Sequence, residues 1–152
     1  MTIICHELHA ACPPDRIWAL LADLEAVERY NPGVRRARVQ GPQRTGVGAC
    51  RSCELVPDGR VVERVTHWED GRALGLEVVE SGWPIHFMRW VTRLDPHDNG
   101  TRISQSLEYQ VKFGPVGWLL DRVAMKRKLT ATLDQVFASL VDHAEGAPTG
   151  RS

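Results

Sequence analysis

The sequence predicts an α+β chain: a curved antiparallel sheet of about seven strands wrapped around one long C-terminal helix, with two short helices after the first strand. Three observations carry this. The segment from Val34 to Lys112 reads as consecutive strands joined by short turns, and short connections make neighbouring strands antiparallel. From Phe113-Gly114-Pro115 to about Glu145 the pattern changes, and Trp118, Met125, Leu129, Leu133, Val136 and Leu140 fall on one stripe of a helix. That helix would run at least roughly 40 Å at about 1.5 Å per residue, too long to cap a sheet edge, so it has to cross the sheet's concave face. Side chains need not fill all the space between a curling sheet and such a helix, so a pocket is expected there.

Each element follows from local signals. Thr2 to Ala10 alternates as a strand, and Pro13-Pro14-Asp15-Arg16 ends it and starts a helix, with proline in the first turn and Asp15 at its positive end. Ile17, Trp18, Leu20, Leu21 and Leu24 give the apolar face, and two short helices fit before the turn signal Tyr30-Asn31-Pro32-Gly33. Strands are expected at Val34–Gln40, Gly48–Val56, Arg60–Trp68, Ala73–Glu80, Ile85–Leu94 and Thr101–Lys112. No repeat or second domain is evident, so residues 1–145 form a single domain and 146–152 a flexible tail.

Composition narrows the function classes. Nineteen basic and 19 acidic residues cancel to a net charge of +0, which gives no general attraction to nucleic acid. No apolar run is long enough to span a membrane, and Met1-Thr2-Ile3-Ile4-Cys5-His6-Glu7 lacks the pattern of a secretory signal, so a cytoplasmic location is expected. The four cysteines then read as thiols. Cys50-Arg51-Ser52-Cys53 has C-x-x-C spacing, but residues three apart on a strand point to opposite faces, so no metal is expected there. Gly46-Val47-Gly48 lacks the third glycine and the following helix of a nucleotide fingerprint, and no cofactor is expected.

Strand parity selects the cavity wall. A hairpin at Pro57-Asp58-Gly59 with Val56 opposite Arg60 sets Cys53 opposite Glu63 and Arg51 opposite Val65. Pairing Trp68 with Ala73 adds Val65 opposite Leu76 and His67 opposite Leu74. Arg51, Glu63, Val65, His67 and Leu76 are then inward, with Arg51 and Glu63 as diagonal neighbours able to satisfy each other. On the last strand Gln105, Leu107 and Tyr109 face in, and pairing across Asp95 to Gly100 brings His86, Met88, Trp90, Thr92 and Leu94 to the same side. A one-residue slip would substitute Phe87, Arg89 and Val91. Trp118, Asp121 and Met125 complete the lining from the helix.

The run Ala11-Cys12-Pro13-Pro14-Asp15-Arg16-Ile17-Trp18-Ala19-Leu20-Leu21-Ala22-Asp23-Leu24, with Tyr30-Asn31-Pro32, Gly46-Val47-Gly48-Ala49-Cys50-Arg51, Val62-Glu63-Arg64-Val65, Gly100-Thr101-Arg102 and Phe113-Gly114-Pro115-Val116-Gly117, resembles the START-related SRPBCC superfamily in its polyketide cyclase/dehydrase-like branch. The resemblance covers about residues 2 to 145 and implies a helix-grip fold with an apolar ligand cavity. It does not choose between binders and enzymes, because both occur on this one fold.

Three functions stay open. The first is binding of a small hydrophobic molecule, such as a lipid, a polyketide or an aromatic compound. The second is a polyketide aromatase/cyclase or dehydratase, with Arg51 or Tyr109 polarising a carbonyl and His67, His86 or Asp121 moving a proton. The third is a protein-binding module that masks a partner helix in its groove. Basic clusters at Arg35-Arg36-Ala37-Arg38 and Lys126-Arg127-Lys128 read as solvated faces, or as a docking surface for an acidic partner such as an acyl carrier protein. A monomer and a homodimer are equally compatible with the sequence.

Overall fold

Strand β1 (Thr2–Ala10) leads into α1 (Pro14–Ala22), a 3-10 turn (Leu24–Ala26) and α2 (Val27–Tyr30). Strands β2 (Val34–Gln40), β3 (Cys50–Leu55), β4 (Arg60–Glu69), β5 (Ala73–Ser81), β6 (Ile85–His97) and β7 (Gly100–Val111) follow, and then helix α3 (Lys126–Gly146). This computed structural model describes residues 2–56, 58–82, 85–111 and 126–146. Trp118, Asp121 and Met125 and residues 147–152 of the expected tail lie outside the described residues. The seven strands form one sheet in the order β1-β7-β6-β5-β4-β3-β2, every neighbouring pair antiparallel. Helix α3 packs against α1, α2 and β1 and buries Phe137, Leu140 and Ala144.

Local chemistry explains the boundaries. Pro14 occupies the first turn of α1, and Ile17 and Leu21, four apart on one helical face, are buried. Asn31 Oδ1 accepts from the Gly33 N–H at 2.8 Å, which closes the turn into β2. The β6–β7 hairpin is tighter than the sequence suggested. Asp98 and Asn99 both take positive φ (48° and 63°), the conformation of a two-residue type I′ turn, so β6 runs on to His97.

Registers differ from expectation in two instructive ways. The β3–β4 hairpin closes with the Leu55 N–H donating to Gly59 O at 2.9 Å, which sets Arg51 opposite Glu63 and Cys53 opposite Val61. This is a two-residue shift, so every side chain keeps its expected face. On β4, Val65 pairs with Leu76 as expected, but a bulge follows, and His67 then pairs with Gly75 and Trp68 with Leu74. A Cβ on Gly75 would lie 2.9 Å from the Cβ of His67, so glycine is what lets the bulged strand pass there.

Strand β2 is an edge of the sheet, and its outward N–H groups are covered. Glu28 accepts from the Ala37 N–H and Glu25 from the Val39 N–H, each at 2.9 Å. Those backbone bonds hold both carboxyls below the usual value of 4.5, helped by Arg44 at Glu25 and by Arg38 at Glu28. A depressed carboxyl pKa contributes stability that is complete above its unfolded value and lost as pH falls through the lowered folded value. Stability is therefore expected to fall as pH drops below about 4.5, and the Glu25→Gln/Glu28→Gln double variant should show a flatter fall in that window. Urea midpoints measured at stepped acid pH check this, and parallel curves for the two proteins would refute it.

Candidate functional site

The concave face of the sheet is built in rows of side chains. One row is Ile4, Leu107, Trp90, Leu76 and Val65, crossing from β1 to β4 and almost entirely apolar. The next row is His6, Gln105, Thr92, Leu74 and Trp68. Beyond it lie Leu8, Ile103 and Leu94. Among the described residues the buried apolar side chains gather in two clusters. One cluster gathers Ile103, Leu94 and Leu74 with the short helices, Phe137 and Leu140. A second gathers Ile4, Met88, Leu107 and Tyr109, with Leu133 and Val78 packed on it. Trp90 touches both, and the polar side chains of His6, Gln105 and Thr92 lie along the boundary between them.

That polar seam has defined partners. The Gln105 amide Nε2 donates to Thr92 Oγ1 at 3.1 Å, with both residues buried. His6 turns toward α3, where its Nε2 lies 3.2 Å from Asp134 Oδ1 and its ring meets Phe137 edge-on at 4.9 Å. Gln105 Oε1 is buried and accepts no hydrogen bond among the described residues. An acceptor left in this state costs on the order of 1–3 kcal/mol, so it calls for an explanation.

Arg51 and Glu63 meet at a different place. Arg51 Nε donates to Glu63 Oε1 at 2.7 Å and its Nη1 to Leu24 O at 3.1 Å, under the 3-10 turn. The two residues are 5% and 8% exposed, so the pair is sealed between the sheet and the short helices. Burial opposes the Arg51 charge, yet Glu63, Tyr30 and Cys53 together outweigh it and the guanidinium holds its proton more tightly than usual. Burial, then Glu63, pushes the Cys53 thiol up to about 12, which makes it a poor nucleophile. Burial likewise raises Tyr30, packed on the same guanidinium.

The remaining expected wall residues divide. Val65, Leu76, Met88, Leu107 and Tyr109 are buried on the concave side, and Trp90 is part-buried there. His67 is not on that side. The β4 bulge carries it to the convex face, where its Nε2 pairs with Glu69, which Arg93 also approaches at 3.4 Å. The His67 hydrogen bond is the main reason the Glu69 carboxyl sits below its usual pKa. Trp68 takes the inward place and meets Trp18 of α1 edge-on at 5.2 Å. His86 is exposed as well, because the β6–β7 register shifts between Ile85 and Phe87. A surface depression lined by Cys5, His6, Glu7, Val91, Arg93, Ser104, Gln105 and Ser106 lies over β1, β7 and β6. His6 and Asp134 were missed by the sequence reading. The signal for His6 was available, since it alternates inward with Ile4 and Leu8 on β1.

Comparisons with known proteins agree with this architecture. TTHA0849 from Thermus thermophilus superposes with a TM-score of 0.80 at 19% identity, covering 96% of this chain and 99% of that one. The protein XoxI from Bacillus cereus gives 0.75 at 10% identity, covering 93% and 94%. Ara h 8.0201 gives 0.73 at 16% identity, covering 94% and 97%. At these identities the likeness is one of fold, the helix-grip fold. No curated protein is similar enough in sequence to count as a relative. A family model described as polyketide cyclase / dehydrase and lipid transport matches residues 1–145, and the chain belongs to that SRPBCC-type family.

Proposed function

We propose that the chain binds a small, mostly apolar molecule between the concave face of the sheet and helix α3. The observation that supports this best is the division of the apolar side chains into two packed clusters on one sheet face. Trp90, Val78 and Leu133 keep part of their surface exposed around the second cluster, as residues do when they line an accessible space. Family membership points the same way, since lipid transport is part of the family's description.

The test is titration with the neutral fluorophore N-phenyl-1-naphthylamine. One saturable site is expected. Val78→Trp, which fills the space from a part-buried wall position, should weaken binding about tenfold or more. Val79→Trp, on the exposed convex side of the same strand, should leave binding unchanged. Equal binding by all three proteins would count against this location.

A second reading is aromatase/cyclase or dehydratase chemistry in the same space. Arg51 is committed to Glu63 and Leu24, and His67 faces away, so neither supports it. What favours it is His6, oriented by Asp134 in the manner of a held general base. If His6→Gln and Tyr109→Phe both leave the products formed from a poly-β-ketone unchanged, this reading fails.

A further inference from the structure

We propose that Gln105 selects a ligand carrying a hydroxyl group, so that the bound molecule is a neutral alcohol or phenol with an apolar body. This rests on the ligand-binding reading above and specifies the chemistry of that site. Gln105 lies mid-strand on β7, flanked on its own face by Ile103 and Leu107, and is 9% exposed. Its neighbours across the sheet are His6 on β1 and Thr92 on β6. Thr92 takes one half of the amide, accepting from Nε2 at 3.1 Å. With the amide in this orientation, Oε1 is the end without a partner among the described residues. His6 does not supply one, because its ring is turned to Asp134 and Phe137.

A buried acceptor of this kind is satisfied by a donor and by nothing else. An ether or ketone oxygen cannot donate, and a carboxylate would place negative charge against a carbonyl oxygen. Nor does the seam hold a free cation for a carboxylate among the described residues. His6 faces Asp134, and Arg51 is spent on Glu63. The row therefore reads as apolar walls above and below with one acceptor between them, which suits a molecule with a hydroxyl partway along an apolar frame. An unmade hydrogen bond at a buried group is costly, so selectivity here comes from rejecting molecules that leave Oε1 bare.

Competition against N-phenyl-1-naphthylamine tests this with matched probes of two sizes: 2-naphthol, 2-methoxynaphthalene, 2-acetylnaphthalene and 2-naphthoate, then 1-dodecanol and dodecanoate. Wild-type protein should prefer each alcohol or phenol to its partners by about tenfold, the size of one good hydrogen bond. Gln105→Met keeps the side-chain length and removes the acceptor. It should bind 2-methoxynaphthalene as well as wild type does and lose the preference for 2-naphthol. The wild-type series stands by itself if that variant fails to fold. Equal binding of naphthol and methoxynaphthalene, or a preference for the ketone or the carboxylates, overturns the hydroxyl assignment while the cavity stands. If no probe binds and the fluorophore finds no site, the ligand-binding reading fails and takes this one with it.

Discussion

Gly100→Ala is expected to destabilise the protein by about 3 kcal/mol or more, a large effect for a single methyl group. Glycine-to-alanine exchanges at permissive positions usually stabilise by roughly 0.4–1 kcal/mol through the unfolded chain. Here the sign reverses because of what lies above the Cα. A Cβ on Gly100 would fall well inside contact distance of the Ala10 carbonyl oxygen and 3.1 Å from the His9 ring. The oxygen belongs to backbone, which cannot rotate away as a side chain would. The crossing is also pinned on several sides. Thr101 Oγ1 donates to Cys12 O at 2.8 Å, and the Ala11 N–H donates to Glu145 at 2.6 Å. The His9 ring bonds His97 O at 3.0 Å. Relief of the clash has to move the end of β1 and with it the contact to α3. Equilibrium denaturation measures the loss, and a change under about 0.5 kcal/mol would show that the strands do not cross this closely.

The second large effect is at the sealed ion pair. Glu63→Gln should cost about 3–5 kcal/mol, because it leaves the Arg51 charge buried among neutral groups, the Leu24 carbonyl, Tyr30 and the new amide. Arg51→Met should cost a similar amount by stranding the carboxylate. The double variant Arg51→Met/Glu63→Leu should recover most of the loss, since an apolar pair of comparable size avoids desolvation altogether. Denaturation curves for wild type, Arg51→Met, Glu63→Leu and the Arg51→Met/Glu63→Leu variant close a double-mutant cycle. Near-additive losses, or a Glu63→Gln effect under about 1 kcal/mol, would mean that water reaches the pair. The outcome also bears on function. A guanidinium that stability requires to stay on Glu63 is not free to polarise a ligand carbonyl.

Most of the architecture could be read from the sequence because its signals are local. Proline and aspartate at Pro13-Pro14-Asp15 start α1, and glycine turns at Gly59 and Gly71 separate strands whose β-branched and aromatic residues repeat at intervals of two. Face assignment survived a wrong hairpin register between β3 and β4 because the error was even, so Arg51, Glu63 and Cys53 still pointed inward. It failed at His67 because a bulge changes parity by one, and at His86 because the register shifts beside Ile85. Gly75 was the available clue to the first, since a glycine inside an apolar strand marks a bulge or a close backbone approach. The seam could be read only in part. Gln105 and Thr92 were placed inward by alternation, but their pairing and the unpartnered oxygen depend on rotamers that no spacing encodes. Arg51 looked like a ligand anchor because the sequence does not show that the Leu24 carbonyl comes down on it from a segment 27 residues away.

The most direct test of the ligand-binding account is native mass spectrometry of freshly purified protein, followed by organic extraction and by re-addition of the extract to stripped protein. The account predicts one neutral, hydroxyl-bearing apolar molecule per chain, lost on extraction and taken up again. Protein that carries nothing, and that takes up nothing from an extract of its own cells, would contradict it.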